Sequence, residues 1–394
     1  MVAVTGETAG SRAGQGSVAI PVERARAVAP GIATRAAQHD RDGSFPFEDF
    51  DDLFAADLLN LTMAAAEGGA GAGLADVVDV LMTIGGANAS TGLVLAMQYL
   101  QHANVRRSNW PAPVRAKLIR SSLDGVALIN ALRVEPDLGT PARGGLPATT
   151  ARRVGDEWRV TGHKQYVTGI PGLRWLNVWA RTDEDDIRIG MFLVPSDAPG
   201  ISVVETWDHL GMRATVSHDV VFDDTPIPLD HAVAVSAPGT PPSPADIAFM
   251  PWNALAISAV YHGVALAARD WLVGYLHARI PSNLGAPLAS LPRFQSAVGE
   301  IESLLIASSA LLRSTAAAID AGELSGTQTA NIVKLTVTGN AIRSVELGLA
   351  LIGNPGLSRH NPLERYYRDV LCSRIHTPQD DTILALAGRS ALRL

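Results

Sequence analysis

The hydrophobic spacing of this chain changes twice, and that double change limits the folds open to it. From about Val22 to Gly125, apolar residues recur at helical intervals, with Leu93, Met97 and Leu100 on one stripe. Phe45-Pro46-Phe47, the glycine cluster from Gly68 to Gly73 and the Asn109–Pro113 segment divide this region into separate helices. From about Val126 to Val235 the period shortens. Trp158–Thr161, Gln165–Thr168, Asn177–Ala180, Ile187–Val194, Ile201–Val204 and Val220–Phe222 are short β-rich runs bounded by Gly, Pro and Asp, as in an antiparallel β unit. After a Pro/Ser/Gly-rich linker, Pro238 to Pro244, helical spacing returns. One stripe is Phe294, Val298, Ile301, Leu305 and Leu312, with Gly322 as a stop, and another is Ile332, Leu335, Ile342, Val345 and Leu349. The expected class is α+β. A disordered lead-in spans 1–15, a helical domain 16–125, a middle β domain 126–235 and a helical bundle 236–394.

Composition narrows the function classes. Hydrophobic residues make up 47% and charged residues 18% of the 394, enough to bury a large core. The net charge of −7 and the lack of a long Lys/Arg block exclude an electrostatic footprint for nucleic acid. The single cysteine, Cys372, excludes an intrachain disulfide framework and a Cys-based metal cluster, and it fits a reducing cytoplasm. Its plainest role is a small buried residue. No metal site is expected. Two uncharged stretches, Val80–Val105 and Ile247–Ala268, have membrane-like length, but Gly85-Gly86, Asn88, Pro251 and His262 interrupt them. They read as buried helices of a large protein, so no membrane is implied.

Four segments, in order, resemble the acyl-CoA dehydrogenase superfamily over essentially the whole chain. Leu132-Arg133-Val134-Glu135-Pro136-Asp137-Leu138-Gly139-Thr140 is similar to that family's T-E-P-x-x-G-S/T loop. Gly162-His163-Lys164-Gln165-Tyr166-Val167-Thr168-Gly169 is similar to G-x-K-x-W-I-T-N. Leu210–Ser217 with Val220–Asp224 and Pro226–Pro228 resembles the exit from the β domain, where Arg213 supports flavin or substrate or forms a structural ion pair. Leu351–Leu357 with Pro362–Asp369 resembles Q-x-x-G-G-x-G…P-x-E-R-x-x-R-D. The resemblance implies an acyl-CoA dehydrogenase-like fold whose C-terminal part is a four-helix bundle. It implies a flavin cofactor, FAD with FMN as the alternative. It also implies a homotetramer or homodimer, since cofactor contacts come partly from a second subunit.

Carried over residue by residue, the flavin contacts are Leu132, Val134, Gly139, Thr140, Tyr166 and Thr168. Val134 replaces the usual Thr, which removes a polar contact. Gly353, Asn354 and Gly356 stand where the family meets the adenosine side of a neighbouring subunit's FAD. Asn354-Pro355 breaks the glycine run there, which opens the FMN alternative. Arg279, followed by Leu284-Gly285, echoes a diphosphate contact at a longer spacing.

The catalytic carboxylate of the family is missing. The family's base removes the α-proton of an acyl thioester and follows the Arg-Asp segment; Thr377 occupies that position. The alternative position, early in the first C-terminal helix, holds Asn253. Neither accepts a proton near neutral pH. Asp380 or Asp381 could substitute only if the backbone shifts; otherwise they read as N-caps of the terminal helix. A related branch uses reduced flavin to activate O2 and needs donors in a dry pocket rather than an α-proton base. His376, next to the lost glutamate, and His102, at a helix end, are the candidates for that role, whereas His163 reads as structural.

The leading expectation is therefore a monooxygenase-type flavin oxidoreductase acting on a small-molecule substrate, with reduced flavin supplied by a separate reductase. The alternatives are an atypical acyl-thioester dehydrogenase and a flavin-free binding protein on the same fold. The expected pocket lies between the helix around Trp252–Tyr261 and the Ala87–His102 region.

Overall fold

The computed structural model describes residues 20–138, 145–324 and 326–394. The expected lead-in, Gly139 and Thr140 lie outside the described residues.

Five helices come first: α1 (Pro21–Asp42), α2 (Phe47–Ala55), α3 (Leu74–Ala87), α4 (Ala89–Arg107) and α5 (Ala112–Asp124). The uncharged stretch read from the sequence forms the second half of α3 and most of α4, both largely buried. Asn88 turns the chain between them, its side-chain oxygen accepting from the Ser90 N–H. The N-terminus of α3 is capped from far along the chain: the Leu74 and Ala75 N–H groups each donate to the Asp320 carboxylate at 2.8 Å. Asp320→Ala should cost about 1 kcal/mol, seen as a lower urea midpoint at unchanged m, with Asp320→Asn losing less. An unchanged midpoint in the alanine variant would show that water replaces the cap.

The strands are β1 (Leu128–Leu132), β2 (Thr150–Val154), β3 (Glu157–Lys164), β4 (Leu173–Thr182), β5 (Ile189–Pro195), β6 (Ile201–Val204), β7 (Asp219–Pro228) and β8 (Ala232–Ser236). They form one eight-stranded sheet in the order β6-β7-β3-β2-β4-β5-β8, with β1 also on β4. The antiparallel expectation needs a refinement. Five pairings are antiparallel, but β1 and β2 both run parallel to β4. The reason is connectivity: β1 enters the sheet straight from α5, and a hairpin is not what joins it to β4.

The C-terminal part contains α6 (Pro244–Ala278), α7 (Pro292–Asp320), α8 (Gln328–Ile352), the short α9 (Asn354–Leu357), α10 (Leu363–Leu371) and α11 (Asp380–Leu392). Three helices are long. The short α10 and α11 both pack on α8. A capping box, Ser243 with Asp246, starts α6. The α7 stripe is confirmed, with Phe294, Ile301, Leu305 and Leu312 buried. On α8 the stripe differs from expectation. Ile332 is exposed, while Val333, Lys334, Val337 and Thr338 are buried.

Helix α6 joins the two helical regions by lying along α3. Gly85 of α3 and Gly263 of α6 permit this approach. A Cβ on Gly85 would stand 2.6 Å from the Val260 carbonyl, and one on Gly263 would collide with the Met82 carbonyl. This contact fixes α6 at the centre of the molecule, so residues along it are held to the positions described next.

Candidate active site

The backbone brings the first two flavin-like segments together. The Gln165 N–H donates to the Val134 carbonyl at 3.0 Å. Beneath this contact the buried Lys164 ammonium lies 2.6 Å from the buried Glu135 carboxylate and also donates to the Trp179 carbonyl. Burial pushes Glu135 up, but Lys164, the Thr149 hydroxyl and the Ala148 N–H outweigh it and hold the carboxyl below its usual range. Burial lowers Lys164 to about 8 despite its partner. A buried pair bonded on this many sides acts as a peg that locks the loop carrying Leu132 and Val134 to the strand end carrying Tyr166 and Thr168.

Tyr166 is 52% exposed and has a left-handed backbone, φ 55°. For a bulky non-glycine residue this conformation is strained and is kept only where the surroundings enforce it. Its ring meets Trp207 and His209 edge-on, and those two rings stack on each other at 3.7 Å. Next to it a hydroxyl chain runs from Thr215 to Ser217 (2.7 Å) and on to the Thr168 Oγ1 (3.3 Å). Asn130 donates to the Thr168 carbonyl and fixes the strand end. An exposed aromatic face beside ordered hydroxyls suits a planar heteroaromatic ring with polar edges, so the residues present fit a flavin. Leu132 is buried at the end of β1 and supports the loop by packing.

The second cluster joins α6, α8 and the turn before α11. Asn253 and Thr377, the two positions where a base is missing, touch: the Asn253 amide donates to the Thr377 carbonyl at 3.1 Å. The Tyr261 hydroxyl and His376 Nε2 are 2.7 Å apart. Burial and the nearby Lys334 charge lower His376 to about 4, so its ring is neutral at neutral pH. Burial pushes Tyr261 well above the usual phenol range. The phenol therefore keeps its proton and can donate to Nε2, which places the ring proton on Nδ1, an atom without a partner among the described residues. Lys334 is fully buried. It donates to the Pro378 carbonyl at 2.9 Å and lies 3.8 Å from Asp380.

Asp380 and Asp381 are first-turn residues of α11, and the cap position belongs to Gln379, so neither is the N-cap expected from the sequence. Asp380 faces Lys334, and Asp381 accepts from the Thr382 N–H of its own helix. Neither replaces the missing base. Burial raises the Cys372 thiol to about 12, which leaves it inert.

His102 does not join this cluster. It is buried in α4 against α5, and its Nε2 meets the Gln98 amide (3.2 Å) and the Ser122 hydroxyl (3.4 Å). Gln98 in turn accepts from the Ile129 N–H. The histidine thus sits in a packing network that seats β1, apart from the Asn253–His376 cluster. His163 pairs with Asp219, as a structural reading anticipates. Arg213 binds the Asp40 carbonyl and Asp208, the structural alternative of the two read for it.

Arg279 caps the C-terminal end of α6, and Gly353 and Asn354 follow the end of α8. Both ends lie on one side of the bundle: the Leu288 N–H donates to the Arg279 carbonyl, and Arg293 reaches the Leu351 carbonyl. Along α6, Arg279 stands ~39 Å from Asn253 at 1.5 Å per residue. Arg279, Gly353 and Asn354 are exposed and Gly356 is buried. The structure therefore separates these four from the Asn253–His376 cluster of the same chain. Lys334 and Trp207 were not singled out from sequence. Tyr261 was marked only as the end of the expected pocket helix, and Ser217 only by its place in the segment after Leu210.

Three helical and β units in this order, with a strained aromatic loop facing a helical bundle, define a flavoenzyme scaffold. Family models agree segment by segment: the N-terminal domain of acyl-CoA dehydrogenase matches residues 22–105, the middle domain 133–225 and the C-terminal domain 245–392. The chain belongs to the acyl-CoA dehydrogenase superfamily and is a flavin-dependent oxidoreductase. A Bacillus subtilis protein, YdbM, provisionally described as an acyl-CoA dehydrogenase, is 32% identical over 92% of this chain and 94% of its own length. L-evernosamine nitrososynthase of a Micromonospora species is 30% identical over 92% of this chain and 88% of its own. The solved structure of KijD3 with FMN and dTDP-3-amino-2,3,6-trideoxy-4-keto-3-methyl-D-glucose superposes with a TM-score of 0.84 at 30% identity, covering 95% of this chain and 93% of that one.

Proposed function

We propose that this chain is a monooxygenase-type oxidoreductase that uses reduced flavin and O2 to oxidise a small molecule, with an amine-bearing sugar as the substrate class. The observation that carries the reading is the Asn253–Thr377 contact. The two places from which the family's carboxylate would reach a substrate α-carbon hold an amide, Asn253, and a threonine, Thr377, and the amide donates to the threonine's backbone carbonyl. Proton abstraction from an acyl thioester has no base there, whereas the neutral His376–Tyr261 pair offers a proton donor and acceptor at the same place. The likeness to a nitrososynthase and to KijD3, a protein solved with an amino-sugar nucleotide, supports the amine.

Bound flavin, as FAD or FMN, supplies the electrons that activate O2. Leu132, Val134, Tyr166 and Thr168 would hold it, and the break at Asn354-Pro355 favours FMN. His376 Nδ1–H would donate a hydrogen bond toward the reacting oxygen, Tyr261 would hold that tautomer by donating to Nε2, and the apolar walls of α4 and α6 exclude water. A separate reductase would deliver the reduced cofactor. Exposed Ile306 on α7 and Leu384 and Leu386 on α11 support assembly into a homodimer or homotetramer.

The test is turnover with chemically reduced FMN or FAD, O2 and an amino-sugar nucleotide. The expected outcome is a product carrying oxygen on the amine. Unchanged amine with all the flavin reoxidised overturns the reading. Anaerobic bleaching of oxidised flavin by an acyl-CoA would instead establish an acyl-thioester dehydrogenase, the activity suggested by the Bacillus relative's description.

A further inference from the structure

Outside the Asn253–His376 cluster, a cavity of about 740 Å³ opens between α1, the loop after β6 and the start of α10. Five arginines line it: Arg41, Arg213, Arg359, Arg365 and Arg368. Three carboxylates line it too, but two of the arginines consume them. Arg368 is forked onto Asp40 (2.6 and 2.9 Å) and also bonds Glu364, while Arg213 faces Asp208. Arg41, Arg359 and Arg365 have no carboxylate within 4 Å among the described residues.

Arg365 is the telling member. Its residue is only 9% exposed, yet its guanidinium has no acidic partner and rests over the Tyr366 ring at 5.3 Å. On the same helix Glu364 is bonded to Arg368, and Asp369 accepts from the Met212 N–H at 2.7 Å and meets the Arg365 charge only through space. A largely buried guanidinium with no bonded carboxylate is costly, and a planar fork of donors matches the oxygens of a phosphate. Arg41 and Arg359 are exposed at the cavity rim and can close on such an anion from α1 and from the turn before α10. His209, whose ring packs against Tyr166 and Trp207, forms part of the wall, so the cavity borders the aromatic loop read as a flavin contact.

We infer that this cavity is a binding site for a phosphate-bearing anion, held by Arg365 with Arg41 and Arg359. The site does not depend on which flavin reaction the chain performs. Two sources share the chemistry: the phosphate of the flavin and the diphosphate of a nucleotide-linked substrate.

Calorimetric titration of the purified full chain with inorganic pyrophosphate tests the site. The expected result is binding in the sub-millimolar range, weakened about tenfold or more in Arg365→Gln and in Arg359→Gln, as loss of a charge-assisted fork predicts. Arg359 is exposed, so its variant tests the cavity without disturbing the buried helix. Arg188→Gln, on a β-domain surface pair with Glu184, should bind as the unchanged protein does. Displacement of pyrophosphate by FMN but not riboflavin assigns the site to the flavin phosphate. Displacement by dTDP but not thymidine assigns it to a nucleotide. No pyrophosphate binding, binding indifferent to both arginine variants, or displacement by neither ligand overturns the inference.

Discussion

His376→Ala is expected to lower product formation by about 100-fold or more while reduced flavin is still consumed by O2. Removing a positioned proton donor typically costs that much, whereas reoxidation of flavin by oxygen needs no donor from this ring. Tyr261→Phe should cost less, about tenfold, because the imidazole remains and loses only the hydroxyl bonded to Nε2. Lys334 acts through His376 rather than on the substrate and is a positioning residue. Its charge lowers the His376 pKa, so Lys334→Met should move the acidic limb of the rate profile upward from about 4. A rate profile from pH 4 to 8 with paired oxygen-consumption and product measurements separates the effects. Full product yield in His376→Ala, or equal loss of flavin oxidation and product, would remove the ring from the chemistry.

The residues that make up this cluster show what sequence alone can and cannot reveal. The three-part order, the α7 stripe and the burial of α3, α4 and α6 all follow from local spacing, and they are as expected. Thr377 and Asn253 were legible as departures from a family pattern, but their mutual contact spans 124 residues and leaves no periodic trace. Lys334 was hidden for a physical reason. A lysine inside an apolar stripe normally marks the solvent side, yet here its ammonium donates to a carbonyl and lies near a carboxylate from beyond the helix, so it is buried while Ile332 is left outside. His102 and His376 look equivalent as single letters. Only the packing of α4 against α5 separates the histidine that seats a strand from the one that faces a phenol.

Buried neutral histidines give the second large expectation: stability should fall steeply between pH 6.5 and about 4. Burial lowers His102 to about 3, and burial together with nearby positive charges lowers His262 and His376 to about 4 each. All three take up protons in the unfolded chain near pH 6.5, so in this window the unfolded state binds more protons and stability rises with pH. Asp369 works the other way. Burial raises it to about 6, so the folded state holds its proton where the unfolded chain does not, and one histidine's effect is cancelled over part of the range. Two uncompensated protons correspond to roughly 2–3 kcal/mol per pH unit, a large share of a typical folding free energy. Urea unfolding at pH 7.5, 6 and 4.5 measures the slope. His102→Asn should flatten it by about one proton, because Nε2 of His102 is sealed among Gln98 and Ser122 and its Nδ1 is buried with no partner among the described residues. A stability independent of pH from 6.5 to 4.5 would mean that these rings accept protons inside the fold, and with them that the His376–Tyr261 pair is charged rather than neutral under acid conditions.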